Sequence, residues 1–354
     1  MEKIAWLPDS LLSNKFIELL KRVFEYAGFE NVSFSFLKKH PFKVDYLVLN
    51  FYENLHKKFG SVKFFYFIKC CLLCFFSFCH IKIIWVLNNR IPHSGDSDYS
   101  LRMMKLLVKK SYRIIIMSDD SIDVLNNINP KKENWENKII KIVHPNYINI
   151  YGIKYEQNTD DGFLKLLFFG LVKEYKNVDL LIKIIEKFQN TKIRLTIAGK
   201  TSSEEYKQYI LKMCEKFDNI VLKLEFIDDE DLIQIIKQND LIVLPYDKKS
   251  SLNSGSIILC CSCGRSFVSP KIGTVKEFNT EEFFYSYDYR DNNEHEIQLY
   301  ESINKAYQDF ITQKNSFLLK GKYLYDYVSK YNDEKYISEI IKKELVIGKR
   351  KENV

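Results

Sequence analysis

Short runs of Val, Ile and Leu recur along this chain, each separated from the next by a longer stretch with apolar residues at helical spacing. A continuous apolar run is what a strand of a parallel sheet needs when helices cover both of its faces. Residues 4–7, 31–37, 46–51, 81–87, 113–117 and 141–143 read as such strands. Between them, 14–26 puts Phe16, Leu19, Leu20, Val23 and Phe24 on one helical face and stops at Gly28. Residues 54–79 read as one long or two short helices, and 99–110 and 121–128 as two more. The polar stretch 154–162, KYEQNTDDG, has the composition of a linker, and beyond it the alternation restarts. Strands are predicted at 164–169, 194–198, 220–226, 241–245, 267–269 and 283–287, and helices at 178–188, 203–217, 231–238 and from Ser254. The predicted fold is therefore α/β, with two doubly wound, Rossmann-like units at 1–153 and 163–330 facing a cleft. Residues 331–354 are expected to form a C-terminal helix and charged tail that packs back on the first unit. In doubly wound sheets ligands bind beyond the carboxyl ends of the strands.

A length of 354 residues with 46% hydrophobic and 28% charged side chains fits two globular domains and excludes a disordered chain. Cys70, Cys71, Cys74 and Cys79 share one apolar run and Cys260, Cys261 and Cys263 another, which suits reduced thiols in a cytosolic protein better than a disulfide framework. The Cys71–Cys74 spacing has no second pair or His at zinc spacing, so no metal is expected. The start, MEKIAWLPDS, lacks the apolar core of a secretory signal, and the densest run, CCLLCFFSFC, is well short of the ~20 residues that cross a bilayer. The expectation is a cytoplasmic protein without a transmembrane helix.

The net charge of +7 is unevenly distributed. Residues 1–160 hold 23 Lys/Arg against 16 Asp/Glu, whereas 161–354 hold 30 of each. Such asymmetry fits attraction to an anionic membrane face or anionic ligand, or a merely solvated lysine-rich surface. Nucleic acid is disfavoured as a partner, because the basic residues are interleaved with acids and form no arginine stripe.

Three blocks carry chemistry. In 166–179, LLFFGLVKEYKNVD, an apolar strand runs into Gly170, where the backbone can turn tightly. Lys173 and Lys176 follow just before a helix, a cationic position suited to a diphosphate and equally compatible with a solvated turn. In 194–200, RLTIAGK, a second strand ends at Gly199. In 241–270 a buried strand ends at Pro245 and Tyr246, and a polar loop leads to Ser254, Gly255 and Ser256 at the start of an apolar helix. Small residues there expose backbone N–H groups, although Ser254 also reads as a plain N-cap.

These blocks, in this order, resemble the nucleotide-sugar-binding half of glycosyltransferase family 4 and its relatives with the GT-B fold. The matching stretches are GLVKEYKN, IAGK, LPY, NSGS and GRSFVSP, and Glu277 in GTVKEF matches the acidic residue after the family's Gly-containing loop. In the first half, IIWVLNNRIPH resembles a Trp–x–x–His–Asn…His stretch of one branch, with Asn89 and His93 matching and Asn88 standing where His is usual. The family's paired glutamates would fall near Ser251 and Leu259, neither of them acidic, and its usual Gly after Lys176 is Asn177, a residue that tolerates a left-handed backbone.

The resemblance implies sugar transfer from a nucleotide-diphosphate donor to a hydroxyl of a saccharide, expected to be lipid-linked, in surface polysaccharide synthesis. Gly170, Lys173, Lys176, Gly199, Tyr246, Ser254, Gly255, Ser256 and Glu277 would form the donor site, and Asn88 and Asn89 would lie on the acceptor side. Without an evident acidic triplet, leaving-group stabilisation is expected to be metal-independent, with no cofactor. His93 is the candidate base, with Asp96 beside it. The missing glutamates lean towards inversion of the anomeric centre. They also fit an alternative, a degenerate sugar-nucleotide-binding or scaffold protein. The aromatic run 64–78 would suit a lipid-linked acceptor at the anionic inner membrane face, or else be a buried helix.

Overall fold

The computed structural model describes residues 1–10, 15–55, 61–90, 97–156, 161–313 and 315–347. The chain forms two compact units, one of residues 1–145 with 331–354 and one of residues 146–330. In the first, β1 (Lys3–Leu7), α1 (Phe16–Tyr26), β2 (Glu30–Asn31), α2 (Phe34–Lys39), β3 (Tyr46–Asn50), α3 (Val62–Phe78), β4 (Lys82–Val86), α4 (Ser97–Lys110), β5 (Arg113–Ile116), α5 (Asp120–Ile128) and β6 (Ile139–Lys141) follow one another. The strands make a six-stranded sheet in the order β2-β1-β3-β4-β5-β6, parallel throughout.

The second unit runs α6 (Ile148–Tyr151), β7 (Leu164–Phe169), α7 (Val178–Glu186), β8 (Ile193–Ala198), α8 (Glu204–Cys214), β9 (Ile220–Lys223), α9 (Asp229–Lys237), β10 (Leu241–Val243), α10 (Gly255–Ser262), β11 (Ser266–Pro270), α11 (Gly273–Lys276), β12 (Tyr285–Tyr287), α12 (Asn292–Thr312) and α13 (Ser316–Tyr331). Its six strands are ordered β12-β11-β10-β7-β8-β9 and again all parallel. Both sheets start in the middle, grow to one side, then return and grow to the other. That reversal lies between β1 and β3 in the first unit and between β7 and β10 in the second, and it opens a crevice at the strand ends.

The apolar runs predicted as strands are buried as expected: every residue of β3, β10 and β11 is inaccessible. Two predicted strands were misplaced: 141–143 shares only Lys141 with β6, and 31–37 falls mostly in a helix. Of 31–37, only the first residue belongs to a strand, because Ser33 Oγ accepts from Phe36 N at 3.1 Å and starts α2. Hydroxyl capping of a free helix amide outweighs the strand preference of three short residues.

The core of the first unit holds Trp6, Phe24, Tyr46, Val48 and Ile115, and Ile337, Ile341 and Leu345 from the end of the chain join it. The first two lie on α14 (Glu334–Ile341), which packs on α1, and Leu345 follows in the next helical turns. Burying each such side chain is worth about 1.5–3 kcal/mol. Buried Glu334 meets Arg22 Nε at 3.1 Å across the same contact.

Candidate active site

In the second unit the reversal point is built by two close approaches. Gly170 follows β7 at φ +108° and Gly199 follows β8 at φ +139°. A Cβ on Gly199 would lie 2.0 Å from the Gly170 carbonyl oxygen, so the strand ends meet with no room for a side chain. The chain after Gly170 then makes a single tight turn over Glu174–Lys176 and passes through Asn177 at φ +53° into α7. Asn177 takes the left-handed conformation glycine would otherwise supply, and its Nδ2 donates to the Pro245 carbonyl at 2.9 Å, tying this turn to the end of β10.

The second approach centres on Tyr246, buried just beyond β10. Lys176 Nζ sits 3.8 Å from its ring centroid, a cation–π contact. Ser254 Oγ donates to the Tyr246 hydroxyl at 3.1 Å and accepts from Ile257 N at 3.3 Å, so one side chain holds the tyrosine and caps α10. Ser254 N donates to Thr274 Oγ1 of α11 at 2.8 Å. The Tyr289 hydroxyl donates to the Tyr246 carbonyl at 3.1 Å and accepts from Lys248 N at 2.9 Å, while its ring stacks on His295 at 4.0 Å. Burial holds His295 at about 4, so it is neutral, and pushes Tyr289 up to about 12. The first two residues of α10, Gly255 and Ser256, stay half-exposed, and their amides lie in the first helical turn, where orphan N–H groups favour anions.

In the first unit the strand ends carry buried polar atoms. Asn50 closes β3, and Asn88, Asn89 and Arg90 follow β4. Asn88 Nδ2 reaches Asn50 Oδ1 at 3.5 Å and the Val86 carbonyl at 3.4 Å. Arg90 pairs with Asp120 at the start of α5 at 2.5 Å. Trp85 Nε1 donates to Oε2 of buried Glu53 at 3.3 Å. Asn50 Nδ2, Glu53 Oε1, Asn89 Nδ2 and Arg90 Nε are buried with no hydrogen-bond partner among the described residues. Burial raises the Glu53 carboxyl above its ordinary range and draws Lys69 down to about 8.

Residues 164–302 match the family model described as glycosyl transferases group 1. The matched segment lies within the second unit. Two curated relatives are 27% identical over 129 residues, and both are named GDP-mannose:glycolipid 4-beta-D-mannosyltransferase, from Xanthomonas campestris pv. campestris. The matched segment spans 36% of this chain and 36% of those relatives. Among solved structures, Anabaena HepE in complex with UDP and glucose is similar over 98% of this chain and 99% of its own, with a TM-score of 0.68 and 12% identity. Sucrose-phosphate synthase from Thermosynechococcus elongatus is similar over 100% and 99%, with a TM-score of 0.71 and 10% identity. The fold is thus the α/β GT-B type that the sequence motifs resembled.

Within the matched segment, Gly170, Lys176, Gly199, Tyr246, Ser254, Gly255 and Ser256 gather at the ends of β8, β7 and β10. Lys173 stands at the start of the same tight turn, and Glu277 ends α11, one turn beyond Thr274. The Ser254 hydroxyl serves the fold itself, as the plain N-cap reading had it. Asn88 and Asn89 lie at the first sheet's strand ends, and His93 and Asp96 fall outside the described residues. Sequence reasoning passed over Thr274, Tyr289, Asn50, Glu53, Arg90 and Asp120. Four of these follow directly on a strand or its first loop, and a polar residue closing a buried run, as in YLVLN, was the signal available.

Proposed function

We propose that the chain moves a sugar from a nucleotide-diphosphate donor to a hydroxyl of a saccharide acceptor, lipid-linked and destined for surface polysaccharide. The observation that carries this reading is the gathering of Lys176, Tyr246 and the start of α10 around the reversal point of the second sheet, where Gly170 and Gly199 bring the backbone close. In the reaction the acceptor oxygen attacks the anomeric carbon, the bond from that carbon to the phosphate oxygen breaks, and the nucleotide diphosphate leaves with the electron pair. Lys173, Lys176 and the first amides of α10 would take up that negative charge without a metal. Glu277 would contact the donor. The acceptor proton would pass to His93, with Asp96 beside it, and Asn88 and Asn89 would orient the acceptor. The names of the curated relatives, which include a glycolipid, support the lipid-linked acceptor.

The test is the double substitution Lys173→Ala/Lys176→Ala. Thermal stabilisation by a panel of UDP- and GDP-sugars should identify one donor for the wild type and vanish in the variant, with transfer down at least about 100-fold. Stability without ligand should fall by no more than the one cation–π contact of Lys176, about 0.5–1 kcal/mol, because both lysines are partly solvated. Full transfer by the variant would end this assignment. Leu259, buried in α10 where the related enzymes keep a carboxylate, favours a second reading as a non-catalytic sugar-nucleotide binder, and binding without turnover would select it. The same position favours inversion, and NMR of the product anomer should give the inverted configuration.

A further inference from the structure

The 17-residue helix α3, VKFFYFIKCCLLCFFSF, contains no acidic residue, and only Val62, Leu73 and Phe76 of it are fully buried. Phe64, Phe67, Ile68, Leu72, Phe75 and Phe78 are exposed, with Phe67 at 63% and Phe78 at 72%, and Cys71 and Cys74 are exposed among them. At 3.6 residues per turn these eight positions share one sector of about 160°, a stripe about 21 Å long without a charge. The helix's internal lysine faces the other way: Lys69 Nζ donates to the Tyr52 carbonyl at 2.6 Å and the Asn54 carbonyl at 2.8 Å. The stripe is therefore not a helix awaiting its core, because its inner side is already pinned to the unit. Contiguous apolar surface of this kind marks a contact site.

Charge identifies the occupant. At the far end of the stripe the ring of Phe42, 68% exposed, lies 6.3 Å from Phe78, and exposed Lys38, Lys39 and Lys43 lie close to it in the chain. Exposed Lys63 stands at the other end. Residues 33–43 contain no acid, and the first 160 residues hold the whole positive excess of the chain. An aromatic stripe between two sets of lysines matches a lipid surface, with rings among the acyl chains and ammonium groups at phosphate depth. No described helix is long and apolar enough to cross a membrane, whereas α3 is suited to lie along one.

From this we infer that α3, with Phe42 and its neighbouring lysines, is a docking face for a bilayer containing anionic lipid. The contact itself is independent of donor chemistry. That it serves a lipid-linked acceptor rests on the proposed transfer, which donor-induced thermal stabilisation reads separately.

The experiment is flotation of the full chain with phosphatidylcholine vesicles, with and without phosphatidylglycerol. The wild type should float with the anionic vesicles and be released by salt. Phe67→Glu/Phe75→Glu should lower partitioning by at least about tenfold. Lys38→Glu/Lys39→Glu/Lys43→Glu should abolish the preference for phosphatidylglycerol, also by about tenfold or more. All substituted side chains are solvated or partly so, and unchanged melting and donor stabilisation would show that the variants fold. Wild-type flotation by folded Phe67→Glu/Phe75→Glu, or no flotation of the wild type with either vesicle, overturns the inference. So does a wild-type dimer that binds no vesicle and that this variant converts to monomer, since a second copy would then cover the stripe.

Discussion

The two units treat the polar groups at their strand ends differently. In the second unit most of those at the reversal point are engaged with one another: Asn177 with Pro245, Ser254 with Tyr246 and Thr274, and Tyr289 with Tyr246, while Asn253 beside Ser254 keeps its side-chain amide buried without a partner among the described residues. In the first unit Asn50, Glu53, Asn89 and Arg90 each keep a buried polar atom without a partner among the described residues. An engaged network holds a shape before any ligand arrives, whereas an unpaired buried donor or acceptor costs stability until something bonds it. The second unit thus holds more of its shape through its own bonds, and the first keeps more hydrogen-bonding capacity at its strand ends. Under the proposed transfer, the former would serve the diphosphate leaving group and the latter the hydroxyls of a saccharide.

The largest expected effect breaks the second unit's preorganisation outright. Gly199→Ala drives a methyl group into the Gly170 carbonyl and strains a backbone at φ +139°, so it should cost at least about 3 kcal/mol in urea unfolding. Gly170→Ala meets the strained φ but open space, and should cost roughly 1 kcal/mol. Equal costs would remove the close approach as the reason for glycine at 199.

Next in size is a pH effect shared by the two units, each of which buries a neutral histidine. His144 and His295 titrate at about 4 in the folded chain because burial penalises the charged ring, against 6.5 when exposed. Between those values the unfolded chain binds the extra protons, so stability falls as pH drops through that window. His144 alone should account for about 2 kcal/mol by pH 5. Urea melts of His144→Asn should show a shallower acid limb, and an unchanged slope would exclude this histidine as its source.

The smallest effects sharpen the contrast. Thr274→Val removes the acceptor for Ser254 N and should cost about 1–2 kcal/mol, whereas Asn89→Ala removes an unpartnered amide and should cost less than about 0.5 kcal/mol while lowering acceptor turnover. Comparable losses in the two melts would contradict the division between engaged and reserved polar groups.

Much of this was legible in order along the chain. Buried runs such as LIVLP and RIIIM are continuous on both faces, and strand period and burial are local properties of composition. Gly170 and Gly199 were readable for the same reason, because each follows directly on a strand. The approach of Gly199 to Gly170 and the contacts of Tyr246 with Lys176 and Ser254 join residues from different loops, and no spacing announces them.

Local composition thus accounts for the alternation, the two parallel sheets and the positions at which backbone turns without a side chain. Packing between distant segments accounts for which polar groups bond one another, for the helix that Ser33 starts inside an apolar run, and for the aromatic stripe that the most hydrophobic helix presents to solvent. Burial and hydrogen-bond pairing depend on which distant segments arrive at a surface, and for α3 the inner side packs on α4, β4 and the loop after β3 while its outer side is left uncovered.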